Sequence, residues 1–277
     1  MEEHMVEDYL FIMEQEFHGA IKNGEFHVWY QPQIDMRTGK HCGAEALVRW
    51  QKQDGSLVRP DAFVPPLEEL GLIVRLDEEV LENVCRDISQ ARKQGVALGP
   101  VSVNLSRLQA GRRGITRKLK RITEEYEITR EELFFEITET ADEGEDGLPG
   151  FVEQMRENGF QIAMDDFGTG NSSLKALQES CFDILKLDRY FVARIGDPKA
   201  EIILASTIAM AKKLGLEVVA EGVETEEQIC FLLGHQCYLA QGYYYSGPLT
   251  KEQYIKWQQV RDSCVAGGIF RERELRI

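Results

Sequence analysis

The chain has 277 residues, 43% of them hydrophobic and 29% charged, with a formal net charge of −15 at pH 7. That length and balance suit a soluble globular protein with a full core, either one α/β barrel or two small domains. The negative charge argues against non-specific binding to nucleic acid polymers or an anionic membrane, because the long-range field repels both.

No apolar run is long enough to span a bilayer, and Met1-Glu2-Glu3-His4 lacks the basic-then-apolar order of a signal peptide, so the expected location is cytoplasmic. The cysteines at 42, 85, 181, 230, 237 and 264 form no C-x-x-C pair and no Cys/His cluster. Buried thiols are expected, with neither a disulfide framework nor a structural zinc site.

Residues 3–21 set Tyr9, Leu10, Met13, Phe17 and Ile21 on one side of an amphipathic helix, which either packs on the main body or continues from something upstream. From Phe26 the pattern is that of strands, at 28–34 and 40–50, joined by the polar turn Asp35-Met36-Arg37-Thr38-Gly39. So short a connection permits only antiparallel pairing. Helical patterns follow at 60–70, 77–94, 116–126, 148–158, 172–178, 198–214, 225–233 and 250–261. Apolar strand candidates lie at 101–105, 133–138, 161–165, 184–187, 217–220 and 238–242.

With the opening pair this makes eight strands, and strands alternating with helices call for parallel βαβ units closed into a barrel. The hairpin makes the prediction an α/β fold, a modified TIM (β/α)8 barrel with one antiparallel strand. The expected division is a helix or connector over 1–25, the barrel over 26–262 and a C-terminal tail over 263–277. The acidic stretch 141–150 reads as a surface loop. The basic run from Arg107 to Arg121 reads as a solvated helix face or as a docking surface for an acidic partner.

Sites in such barrels are built at the carboxyl ends of the strands. Those ends carry Asn104, Glu136 and Glu139, Asp165 and Asp166, Lys186 with Asp188, Glu221 and Glu224, and Gln241, while Glu45 lies within the second strand. Any one of them suits a cap or an ion pair, and Asp165-Asp166-Phe167-Gly168 also suits an ordinary turn. So many polar strand ends in an apolar context point instead to a site. Oxygen donors without His or Cys suit Mg²⁺ or Mn²⁺. Glu45, Asn104, Glu136, Asp165, Asp166 and Glu221 carry more charge than one divalent ion needs, and two ions about 3.5–4 Å apart sharing an Asp fit phosphate-ester hydrolysis.

Lys186 in that nest either orients a water and offsets phosphate charge or serves as a structural counter-ion. A barrel enzyme that uses the same nest for proton abstraction beside a metal-bound carboxylate is a further reading. Gly168-Thr169-Gly170 lacks the third glycine of a dinucleotide fingerprint and the Gly-Lys-Ser/Thr of a P-loop. There is no G-x-S-x-G or H-E-x-x-H, and no histidine is followed by Asp.

Glu45-Ala46-Leu47-Val48-Arg49 resembles the signature of the EAL-domain cyclic di-GMP phosphodiesterases. The similarity runs from about Phe26 to Leu249 through Tyr30-Gln31-Pro32, Val103-Asn104-Leu105-Ser106, Glu136-Ile137-Thr138-Glu139, Asp165-Asp166-Phe167-Gly168-Thr169-Gly170, Leu185-Lys186-Leu187-Asp188, Ala220-Glu221-Gly222-Val223-Glu224 and Gln241-Gly242-Tyr243. The resemblance implies a modified TIM barrel and Mg²⁺- or Mn²⁺-dependent hydrolysis of cyclic di-GMP to linear pGpG, with Ca²⁺ inhibitory. It implies that Glu45, Asn104, Glu136 and Asp165 hold one metal and Asp165 with Asp166 the second. Glu221 and Lys186 would manage the attacking water. Gln31, Leu47, Arg49 and Gln241 would contact substrate, and Glu139 and Glu224 would brace the site.

The same resemblance implies a homodimer coupled to the loop over 166–174 and an upstream sensory or GGDEF domain joined through residues 1–25. Asn171 stands where the family usually has Tyr, and Pro66-Leu67 replaces a more usual Leu-Ala. Neither change removes a metal ligand. A catalytically silent cyclic di-GMP receptor is the alternative of a different class, since degenerate relatives typically lose metal ligands and none is missing here.

Overall fold

The opening hairpin sets the frame. β1 (Phe26–Asp35) and β2 (Lys40–Gln51) pair antiparallel, with Gln31 opposite Glu45. The structure, a computed structural model, describes residues 2–138, 147–168 and 173–266, and the side chains of all of these except 2–8, 173 and 264–266. After the hairpin and a two-residue β3 (Leu57–Val58), each strand runs parallel to the last: β4 (Val101–Asn104), β5 (Leu133–Thr138), β6 (Ile162–Phe167), β7 (Ile184–Leu187), β8 (Glu217–Ala220) and β9 (Leu239–Ala240).

The ring closes because β1 pairs antiparallel with β9 as well as with β2, and β3 hangs on the outer end of β2. The result is the expected eight-stranded barrel with one antiparallel strand. Around it run α2 (Pro60–Glu69), α3 (Ile73–Lys93), α4 (Ile115–Glu125), α5 (Leu148–Glu157), α6 (Ser173–Glu179), the single turn α7 (Arg189–Val192), α8 (Pro198–Lys213), α9 (Glu226–Gly234) and α10 (Lys251–Ala266). No helix among the described residues is long and apolar enough to cross a membrane.

Side chains alternate along a strand, so each barrel strand presents every second residue to the interior. Phe134, Ala163, Ile184 and Val219, with Leu239 packed on them, form an apolar plug inside the barrel. Two residues further along the same five strands stand Glu136, Asp165, Lys186, Glu221 and Gln241. The plug closes one end, and the next layer is polar.

Before β1, helix α1 (Glu2–Asn23) buries Met13, Phe17 and Ala20, and Phe17 lies 5.7 Å from Phe26 in an aromatic group with Trp50 and Phe63. Its buried stripe is narrower than the sequence suggests. Tyr9 is 49% exposed and donates its hydroxyl proton to the Ala62 carbonyl.

Other boundaries shift too. α3 begins at Ile73 and not at 77, α10 continues past 261 to Ala266, and β9 is only two residues long. The basic run is not one helix: residues 107–109 form a 3₁₀ turn, Gly114 takes φ +78°, and α4 follows with Arg117 and Arg121 exposed. Lys118 is taken up by Glu78 of α3. The thiols also divide: Cys85 and Cys237 are buried as expected, but Cys181 and Cys230 are exposed.

Candidate active site

Lys186 is the hub. Its side chain is fully buried, and Nζ lies 2.6 Å from Glu136 Oε2, 2.7 Å from Glu221 Oε1, 3.2 Å from Asp165 Oδ1 and 3.3 Å from Glu45 Oε2. Asn104 donates through Nδ2 to Glu45 Oε1 at 3.0 Å, so its carbonyl oxygen is the atom left to act as a ligand. Gln241 donates through Nε2 to Glu45 Oε2 (2.5 Å) and Glu221 Oε1 (2.9 Å). Its Oε1 accepts from Gln33 Nε2 at 3.0 Å. Residues scattered from 33 to 241 thus meet at one point.

Asp166 joins them through a local distortion. Strict alternation sends neighbours to opposite faces, but the β6–β7 register shifts between Met164 and Phe167, and Asp166 takes φ +54°. A left-handed residue at a bulge re-aims the chain, and Asp tolerates it better than most. One carboxylate oxygen each of Asp165, Asp166 and Glu221 then falls within 4.8 Å of the others, as do those of Glu45, Glu136 and Asp165.

Four carboxylates around one ammonium leave three surplus negative charges in a dry interior, which must take up protons or cations. Burial, then the neighbouring charges, drives Glu136 well above the usual carboxylate range; burial does the same for Glu221 and raises Asp165, both against the pull of Lys186. Burial also raises Glu45, but Lys186 and the hydrogen bonds from Gln241 and Asn104 outweigh it and hold that group low. Asp166 is pushed up to about 6 by burial and by Asp165 and Asp188. Lys186 loses stability as a cation through burial, yet the surrounding carboxylates more than compensate and fix its proton.

Glu136 Oε1 is buried and has no hydrogen-bond partner among the described residues. An orphaned carboxylate oxygen beside two three-carboxylate groups, with an amide oxygen adjacent, is the donor set of a hard divalent cation. The residues therefore fit a hard divalent metal ion.

Beside this centre opens a cleft of about 900 Å³, within the range of small-molecule sites, lined by Gln31, Asp188, Arg189, Glu221, Gln241 and Tyr243 among others. Gly242 makes the cleft floor possible: a Cβ there would stand 2.2 Å from the Val223 carbonyl oxygen. Arg49 is half-buried, with its guanidinium 5.5 Å from the Trp29 ring centre. Leu47 faces a smaller cavity of about 190 Å³ that it shares with Asn104, Glu68 and Asp77.

Glu224 is exposed on the cleft rim, and its backbone N–H donates to Gln228 Oε1. Glu139 and Asn171 lie outside the described residues, as do residues 169–172 of the loop over 166–174. Gln33 and Asp77 escaped the sequence reading. For Gln33 the signal was there: it sits two positions from Gln31 on the same inward face of β1.

A closed α/β barrel whose interior layer is an acidic centre suited to hard cations defines the class of this protein. The chain belongs to the EAL domain family, whose model matches residues 14–248. It is 36% identical over 247 residues to the cyclic di-GMP phosphodiesterase NbdA of Pseudomonas aeruginosa, covering 86% of this chain and 30% of that protein. It is 35% identical over 240 residues to the probable cyclic di-GMP phosphodiesterase PdeB of Escherichia coli K12, covering 87% and 46%. The chain thus spans less than half the length of either. Among solved structures it is similar to the PaMucR phosphodiesterase in complex with c-di-GMP, with a TM-score of 0.80 and 33% identity over 87% of this chain and 98% of that one.

Proposed function

We propose that this domain is a metal-dependent phosphodiesterase that hydrolyses cyclic di-GMP to linear 5′-pGpG. The observation that carries the reading is the convergence of Glu45, Asn104, Glu136 and Asp165 with an unpartnered Glu136 oxygen, beside a cleft of dinucleotide size. The relatives' names and the c-di-GMP complex of a similar barrel support the substrate.

In this reading Glu45, Asn104, Glu136 and Asp165 would hold one ion and Asp165 with Asp166 a second. Bound Mg²⁺ or Mn²⁺ would supply Lewis-acid stabilisation of the phosphate and lower the pKa of a water towards neutrality. The chain does the rest. Glu221, raised above the usual carboxylate range by burial, takes the proton of the attacking water. Lys186 keeps its proton and offsets charge among the carboxylates. Arg49 and Gln31 hold the substrate phosphate, Leu47 gives a base an apolar wall, and Gln241 fixes the orientation of Glu45 and Glu221 by donating to both.

The test is incubation of the purified chain with cyclic di-GMP and Mg²⁺, Mn²⁺ or Ca²⁺, with chromatography of the products. Linear pGpG with Mg²⁺ or Mn²⁺, and inhibition by Ca²⁺, is the expected outcome. Binding without cleavage would instead identify a receptor. The proposal extends to a cytoplasmic homodimer coupled through the 166–174 region and to regulatory domains beyond α1, in line with the greater length of the relatives.

A further inference from the structure

Asp77 stands outside the acidic centre, on α3, and is 7% exposed. A buried carboxylate is costly unless hydrogen bonds compensate, and most of the buried residues of this helix are apolar, with Glu78 and Ser89 the other polar ones. The compensation is specific: Asp77 Oδ2 accepts the Ser106 backbone N–H at 3.0 Å and Gln109 Nε2 at 3.0 Å. Both donors belong to the turn that leaves β4 directly after Asn104.

The same turn is held at further points. Gln109 is fully buried and also donates to the Val74 carbonyl at 3.4 Å. Ser106 Oγ donates to Glu68 Oε1 at 3.2 Å and accepts the Leu108 N–H at 3.4 Å, capping the 3₁₀ turn. On the other side the Leu105 N–H donates to the Glu136 carbonyl at 2.8 Å. Asn104 is the last residue of β4 and is half-buried, with its Nδ2 donating to Glu45 Oε1, so the course of the turn that follows bears on where its amide lies. The strand fixes it from before and Asp77 from behind.

We propose that Asp77 is a positioning residue for the metal site: by clamping residues 106–109 it orients the Asn104 amide, so that Nδ2 meets Glu45 and the carbonyl oxygen is presented to the cation. This rests on the metal-site reading above. Residues that orient a ligand typically contribute 10–100-fold in metal affinity.

The test uses the full chain and two readouts. Mn²⁺ titration calorimetry compares wild type, Asp77→Ala, Asp77→Asn, Asn104→Ala and the Asp77→Ala/Asn104→Ala pair. The Asn104 side-chain amide signal is followed by NMR in the metal-free protein. Asp77→Ala is expected to weaken Mn²⁺ binding about tenfold and to move the Asn104 signal. Asp77→Asn keeps a carbonyl oxygen for the same two donors and stays near wild type. In the Asn104→Ala background Asp77→Ala should cost nothing more, because an effect exerted through one residue vanishes with it. Should Asp77→Ala not fold, Gln109→Leu removes one of the two donors and carries the same comparison.

Unchanged affinity with an unmoved Asn104 signal would overturn the inference. So would an undiminished loss in the Asn104→Ala background, the mark of a general structural effect. A wild-type chain that takes up no Mn²⁺ would defeat the metal-site reading and the metal half of this one with it; the Asn104 signal would still decide the clamp.

Discussion

Lys186 Nζ lies 2.6 Å from Glu136 Oε2, and both side chains are shut off from solvent at the centre of the barrel. A buried ion pair is strongly destabilising to break from one side, since the remaining charge has no solvent to turn to. Here the remaining charges would be four carboxylates.

Lys186→Met should therefore lower stability by about 3–5 kcal/mol in metal-free buffer. Urea denaturation in the presence of a chelator measures this, and added Mg²⁺ should restore part of the loss by supplying the missing positive charge. A midpoint equal to wild type would show that the carboxylates are already neutralised by protons.

Gln33 controls which way Gln241 points. Glu45, held ionised, can only accept, so Gln241 turns its NH₂ to Glu45 and Glu221 and its oxygen to the Gln33 NH₂. Gln33→Glu places a carboxylate where a donor is required and should cost about 1–3 kcal/mol in stability together with lost Mn²⁺ affinity. Gln33→Met, which only removes the donor, should cost less. Equal effects of the two variants would show that the amide's orientation is immaterial.

Glu221→Gln keeps the size of the side chain and removes the base. Product release should fall by about 10²–10⁴-fold while cyclic di-GMP binding, followed by calorimetry, changes little. A parallel loss of binding would assign Glu221 to holding the site together.

His41 sets a stability limit at acid pH. Burial pushes its imidazole down to about 4 from the ordinary 6.5, and its Nε2 is hydrogen-bonded to the Tyr254 hydroxyl. Because the unfolded chain takes up this proton first, the neutral ring contributes stability fully above pH 6.5 and loses it as the pH falls towards 4. The contribution is about 3 kcal/mol. Denaturation midpoints at pH 7 and 4.5 should differ more for wild type than for His41→Gln.

Much of this was legible in the chain because two periodicities dominate it. Period-two strands ending in polar residues gave the barrel and located Asn104, Glu136, Asp165, Lys186, Glu221 and Gln241. Short hydrogen-bonded pieces carried no such signal: β3 at Leu57–Val58, the 3₁₀ turn at 107–109 and the single turn α7 are all too brief to show a period. Asp77 was hidden for another reason. An acid at the head of the run Asp77-Glu78-Glu79 near the start of a helix reads as a first-turn or surface residue, and only the fold brings Ser106 and Gln109 to it. Glu224 shows the converse, a motif residue whose side chain stands exposed on the rim.

The most direct test is anomalous diffraction at the manganese edge from crystals of the chain grown with Mn²⁺. A peak within bonding distance of Glu45, Asn104, Glu136 and Asp165 oxygens, lost in Glu136→Ala, is the predicted result. A peak elsewhere, or none with those side chains well ordered, would contradict the account.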